Sequence, residues 1–207
     1  TGYPPHHGVD GDNGNAFKDK DNFSYTCKSH FDHDNFHIIS GATHISTQDR
    51  KEPWSTPYAS AGFFFTNYKW LYEVPFDPYT PHLFQGEEIL LAARSYTNGW
   101  DMFNLNQAIC THHYDRRQDN LPHFWDDHND FYEIQKLSNM RYYHIMNQCS
   151  LEEVHPEFRK HIDHYGLGNK RSLQDYFDFS NMNLNEGKIE SRCDSRYDYK
   201  TKQWVKI

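Results

Sequence analysis

The sequence predicts a mixed α/β chain, with extended segments and a proline loop first and helices gathered towards the end. Three observations carry this expectation. Residues 36–47 (FHIISGATHIST) alternate as a strand does, and Phe63, Phe64 and Phe65 form a short apolar run fit for a buried central strand. Helical patterns dominate from Gly86 onward. Two of them are opened by a serine followed three residues later by an acid, Ser150 with Glu153 and Ser172 with Asp175.

Taken in order, residues 1–35 are rich in Gly, Asp, Asn, His and Lys and read as loop. The strand over 36–47 follows, then the proline-bounded KEPWSTPYASAG and the Phe63–Phe65 run. Pro75, Pro78 and Pro81 exclude regular structure from EVPFDPYTPHLF, because each removes an N–H and restricts its predecessor. A helix starts near Gly86: Glu87 and Glu88 suit the positive end of the helix dipole. Ile89, Leu90, Ala93 and Tyr96 or Thr97 share one face, and Asn98-Gly99 stops it. Residues 100–111 read as strand or extended chain. Further helices are expected at 130–147 (Phe131, Ile134, Leu137 and Met140 on one side), 151–163 and 172–179, with a last strand at 203–207. No internal repeat is visible.

The 207 residues suit one domain. With 21 Lys+Arg against 29 Asp+Glu the net charge is −8, which argues against indiscriminate phosphate-backbone binding. Basic residues form no aromatic-interleaved stripe, so no nucleic-acid partner is expected. Protonating all 15 His would carry the charge from −8 to +7, so surface electrostatics should change below about pH 6.5. The 15 Phe, 15 Tyr and 5 Trp offset a modest aliphatic content and make general disorder improbable. No apolar run is long enough to span a membrane. Cys27, Cys110, Cys149 and Cys193 form no Cys-x-x-Cys pair, which suits reduced thiols and one or two disulfides equally.

The block from Glu73 to Asp101 is where chemistry is most concentrated, since a rigid proline loop delivers Glu87 and Glu88 to a helix start. Such acids orient a hydroxyl-bearing ligand or act as a base; alternatively they are ordinary first-turn carboxylates. In THHYDRR (111–117), imidazoles suit Mn²⁺ or Zn²⁺ and the arginines suit a phosphorylated ligand, against the plain reading of a solvated polar loop. PHFWDDHND (122–130) reads as a packed aromatic beside a helix start. Asp10/Asp12, Asp19/Asp21 and Asp32/Asp34 have a spacing that can hold a divalent ion, but none follows a buried strand, and they read as loop acids.

GFFF, the Pro-loop/GEE/GWD block, THHYDRR with its following FW, and YGLGNKRSLQDY (165–176) together resemble glycosyltransferase family 60. These are polypeptide α-N-acetylglucosaminyltransferases of the GlcNAc-transferase domain family, including enzymes that modify hydroxyproline. The resemblance runs from about Thr1, where TGYPP is similar to the family's Tyr-Pro segment, to about Leu184. It implies the C-terminal part of a GT-A-type nucleotide-sugar transferase fold. Residues 1–128 would be the partial catalytic region, 129–184 an appended helical segment and 185–207 a tail.

The resemblance further implies a UDP-sugar donor, Mn²⁺ or another divalent cation, a protein or glycan acceptor, and retention of anomeric configuration. By position, Glu87 would face donor sugar or acceptor with Glu88 beside it. His113 would supply a metal ligand, with His112 as the rival. Arg116 would lie near the pyrophosphate. Gly62 and Gly86 would border the sugar, Gly62 on a strand floor, with Trp100 and Asp101 at the edge of the site. Metal and Arg116 would neutralise the leaving UDP, and Glu87 would orient groups rather than serve as a strong base.

The family's nucleotide-binding strands and Asp-x-His/Asp motif precede its Tyr-Pro segment, so the chain is expected to be part of a longer enzyme. Asp32-His33-Asp34 lies in the wrong context to replace that motif. Two other readings stand beside the transferase: a non-catalytic glycan- or protein-binding remnant, and a hydrolase using Glu87 with a second acid. The compartment is open between the cytoplasm, which part of the family occupies, and the Golgi or secretory lumen.

Overall fold

The computed structural model describes residues 1–4, 22–32, 37–46, 52–110, 112 and 122–207. Eight strands and five α-helices lie along the described chain. In order they are β1 (Asn22–Asp32), β2 (His37–Ser46), β3 (Trp54–Ser55), α1 (Lys69–Glu73), α2 (Glu87–Thr97), β4 (Phe103–Asn104) and α3 (Phe131–Ile145). There follow α4 (Ile162–Tyr165), α5 (Leu173–Ser180), β5 (Met182–Asn183), β6 (Lys188–Ile189), β7 (Ser195–Asp198) and β8 (Gln203–Lys206). Among the described residues each sheet is an antiparallel pair: β1 with β2, β3 with β4, β5 with β6 and β7 with β8.

Helix α2 is the hub. Ile89, Leu90, Ala92, Ala93, Arg94, Ser95 and Thr97 are all buried, so nearly its whole circumference is covered rather than one stripe. Alanine and serine on this helix leave room for close neighbours. The core gathers Tyr58 and Met102 from the loops, Tyr142, Ile145 and Met146 from the end of α3, and Tyr176 and Phe177 from α5 around it. The C-terminal end of α2 is closed by the 165–171 segment. Gly168 N–H donates to Thr97 Oγ1 at 2.9 Å, and the N–H groups of Lys170 and Arg171 reach the Thr97 carbonyl. A Cβ on Gly168 would stand 2.6 Å from backbone atoms of Thr97 and Asn98, so only glycine permits this approach.

Several expectations are met in detail. The helix expected from Gly86 is α2, the 130–147 helix is α3, and the last strand is β8. At α5, Asp175 N–H donates to Ser172 Oγ and Ser172 N–H to Asp175 Oδ2, at 3.0 and 2.9 Å.

Others are corrected. Residues 22–32, read as loop, form β1; its polar composition hid a strand whose bulge between Tyr25 and Lys28 interrupts the alternation. The bulge buries Thr26, whose backbone is taken up by side chains instead of a neighbouring strand. Thr26 N–H and Oγ1 donate to Asn104 Oδ1 (3.2 and 2.6 Å), and Asn104 Nδ2 and Thr56 Oγ1 donate to the Thr26 carbonyl.

The Phe63–Phe65 run is not a buried strand. Phe63 makes one bridge to Gly2, Phe64 packs on Trp70 at 4.8 Å between centroids, and Phe65 is 84% exposed. An apolar run becomes a strand only where a neighbour accepts its ladder, and among the described residues Gly2 alone does so.

The 151–163 helix is replaced by 3-10 turns at Leu151–Glu153 and Pro156–Arg159 and the short α4. Pro156 ends the first turn, and His161 at φ 50° separates the second from α4. The side of α3 expected to be buried also shifts. Ile134, Leu137 and Met140 are half-buried, whereas Ser138, Asn139, Arg141 and Tyr142 are buried, because this helix packs on a polar framework built by the proline loop.

Candidate functional site

The site is built on the first turn of α2. Gly86 precedes it at φ 94°, a left-handed conformation that glycine adopts without strain, and among the described residues no side chain caps the helix. The Tyr142 ring closes against this glycine, and an added Cβ would lie 3.0 Å from Tyr142 Cε1. The proline loop enters this corner under restraint from two buried arginines. Arg141 Nε donates to Asp77 Oδ2 at 2.7 Å, and Arg94 Nη2 donates to the Pro75 carbonyl at 2.6 Å. Arg94 Nε reaches the Gly166 carbonyl at 3.2 Å, tying the loop to the segment that closes the far end of α2. Burial lowers the Arg94 guanidinium to about 10, with the Asp77 charge acting against that fall.

The two acids of the GEE triplet are treated differently. Glu88 is fully engaged: Tyr3 donates its phenolic OH to both carboxylate oxygens, and Ala61 N–H donates to Oε1 at 2.6 Å. It thereby holds the Thr1–Pro4 segment and the turn at Ala61-Gly62 against α2. Glu87 bonds to its own backbone N–H, and among the described residues no other side chain pairs with it. Its carboxyl is raised from 4.5 to about 8, chiefly by burial, against the lowering effect of its backbone bond and with a smaller contribution from the Glu88 charge. One carboxylate is a structural clamp. Its neighbour is predominantly protonated at pH 7, so it can donate a hydrogen bond to a ligand oxygen and can take a proton back at mildly alkaline pH.

Gly62 is not on a strand floor. It sits in an exposed turn against the Tyr3 and Pro4 rings, where a Cβ would meet Pro4 Cδ at 2.8 Å. The reason is the same lack of a paired strand at Phe63–Phe65.

Trp100 and Asp101 lie at the other end of α2, about 15 Å along the helix from Glu87 at 1.5 Å per residue. Trp100 Nε1 donates to Glu73 Oε2 at 3.0 Å, which also pairs with Lys170, and Arg171 pairs with Asp101 at 2.7 Å. Both residues border an apolar groove of about 520 Å³ with Phe64, Trp70 and Phe103; Glu87 and Glu88 do not line it.

His112 is half-buried. His113 and Arg116 lie outside the described residues, as do Asp10, Asp12, Asp19, Asp21, His33 and Asp34. Among the described residues no group of three or more His, Cys, Asp or Glu could hold a metal ion. A lone imidazole such as His112 is one donor and not a donor set.

Tyr3, the Ala61 amide and Tyr142 complete the corner around the acids. Tyr3 had a signal in the sequence, the Tyr-Pro segment itself. Tyr142 had none, because its ring reaches Gly86 only through the packing of α3 on α2.

A family model described as Glycosyltransferase (GlcNAc) matches residues 1–186. No curated protein and no solved structure matches the chain. Among the described residues no helix is long and apolar enough to cross a membrane.

Proposed function

Since the chain belongs to the GlcNAc glycosyltransferase family, we propose that it transfers a sugar, GlcNAc in the first instance, from a UDP-sugar to a protein hydroxyl of Ser, Thr or hydroxyproline with retention. In this reading it forms the C-terminal, acceptor-facing part of a GT-A-type catalytic domain. The observation that carries it is the division of labour between Glu88 and Glu87. A clamped carboxylate at the start of a rigid helix places a second, high-pKa carboxyl where it can engage a hydroxyl-bearing ligand.

At neutral pH the protonated Glu87 would donate to a sugar or acceptor oxygen and set the angle of approach. In a front-side, retaining transfer the leaving phosphate takes the acceptor's proton. Glu87 is therefore a positioning group in this mechanism and not its base. Arg116 is assigned to the pyrophosphate, where a planar guanidinium pairs with two oxygens at once.

A divalent cation such as Mn²⁺ would contribute Lewis-acid stabilisation of the departing diphosphate, with His113, or alternatively His112, as one ligand. The described residues do not assemble a full ligand set for it, and no step is derived through it.

The test is Mn²⁺-dependent UDP release from UDP-GlcNAc with a hydroxyl-bearing acceptor peptide, on this chain and on a longer chain that contains it. Glu87→Gln, which keeps a donor, should retain more activity at pH 7 than Glu87→Ala. Equal activity of wild type and Glu87→Ala would remove Glu87 from the site. His113→Ala with unchanged activity would remove the ligand assignment.

A further inference from the structure

Tyr142 and its neighbour Tyr143 point to different sides of the last turn of α3. Tyr142 closes on Gly86, and Tyr143 lines a separate cleft of about 840 Å³ between the end of α3, α5 and the β5–β6 hairpin. The volume is in the range of ligand-binding clefts. Its lining is rich in side-chain amides: Asn147, Gln148, Gln174, Asn181, Asn183 and Asn185. Three acids, Asp178, Glu186 and Glu190, face one cation, Lys188, and Phe31, Tyr143 and the edge of Phe177 supply aromatic surface.

Several of these groups are braced. Gln174 Nε2 donates to Asp178 Oδ1 and Asn181 Nδ2 to Glu190 Oε2, both at 2.8 Å, and Glu186 N–H donates to Asn183 Oδ1 at 3.1 Å. Asn147 and Asn181 adopt left-handed backbone conformations, at φ 59° and 58°, that end α3 and α5. The rim is thus set by helix ends and not by free loops.

This chemistry selects its ligand. Three carboxylates against one ammonium give the lining a charge of −2, which disfavours a nucleoside diphosphate and separates the cleft from any donor site. Amides offer a donor and an acceptor side by side, and carboxylates accept from O–H groups. Vicinal hydroxyls need that combination, and the apolar C–H face of a pyranose needs an aromatic wall. We infer that this cleft binds a neutral oligosaccharide, as a site distinct from the Glu87 corner.

The experiment is binding, not transfer, so its outcome is independent of the function proposed above. Chitotriose, cellotriose, maltotriose and mannotriose are each titrated into the whole chain by calorimetry and by saturation-transfer NMR. At least one should bind with a Kd of about 1 mM or tighter. Asn147→Gly with Gln148→Ala, which preserves the left-handed turn, should weaken it at least tenfold with unchanged melting temperature. Asn185→Ala, away from the helices, gives a second reading with the same expected direction. Absence of binding by all four sugars would overturn the inference. So would binding that survives both cleft variants, or a preference of the cleft for an acidic or phosphorylated ligand.

Discussion

Tyr3 and Glu88, 85 residues apart, meet where the Thr1–Pro4 segment crosses the start of α2, and the phenol reaches both oxygens of the carboxylate. With Ala61 N–H on the same carboxylate, this leaves Glu87 as the acid free to face a ligand. Tyr3→Phe keeps the ring against Gly62 and removes the donor. It should destabilise the chain by about 1.5–3 kcal/mol, the range for a hydrogen bond to a charged group, read as a shift in denaturant midpoint. If UDP-releasing activity is present, it should fall as well, because the clamp positions the helix start. A variant as stable as wild type would show that the phenol–carboxylate contact contributes nothing.

Glu87 makes stability depend on pH in a defined direction. Its carboxyl sits at about 8 in the folded chain against 4.5 when unperturbed, so between those values the folded state holds a proton that the unfolded state has lost. The associated stability is fully present below pH 4.5 and is lost as pH rises through 8. Glu87→Gln should therefore lose less stability than wild type between pH 5 and pH 9. The difference should be about 2 kcal/mol, less than the full shift would imply because part of the carboxyl keeps its solvent. Parallel melting-temperature profiles for the two proteins would contradict the assignment.

Asp77 and Arg141 form an ion pair with side chains 2% and 0% exposed. Arg141 Nη1 also donates to the Phe158 and Lys160 carbonyls, so one guanidinium joins the proline loop to the 156–160 turn. Asp77→Ala leaves that charge buried without its partner and should cost about 3–5 kcal/mol. The double variant Asp77→Leu/Arg141→Met, which removes both charges, should recover part of this in chemical denaturation. A double variant no more stable than Asp77→Ala would locate the cost in packing instead.

Cys27 of β1 is joined to Cys193, 166 residues later, whereas Cys110 and Cys149 are free thiols. Alkylation of the unfolded, unreduced chain should label two cysteines, and reduction should expose two more. Cys27→Ser/Cys193→Ser should destabilise by about 2–4 kcal/mol, chiefly by releasing a long loop in the unfolded chain. Four labelled thiols in the oxidised protein would refute the pairing.

Features written in local contacts are legible in the amino-acid sequence. The limits of α2 follow from the acids at Glu87-Glu88 and the Asn98-Gly99 stop, and α5 follows from Ser172 and Asp175. Strand β1 is not legible there, because its bulge is satisfied by Asn104, 78 residues away from Thr26. The buried side of α3 escapes for a related reason. Arg141 looks like a surface residue until Asp77 and two carbonyls surround it. Within the site, the doublet marks the acids, but nothing in GEE says which one is clamped.

By itself, then, the sequence determined the ends of α2 and α5, the irregular proline loop and the family resemblance that the match over residues 1–186 supports. Those features depend on a few neighbouring residues or on long shared strings. The tertiary structure alone decided that Glu88 is held and Glu87 is not, that Trp100 and Asp101 line a groove the two acids do not reach, and that Tyr142 backs Gly86. Each of these depends on groups brought together across dozens of residues. Their desolvation and pairing energies exist only once the chain has closed around α2.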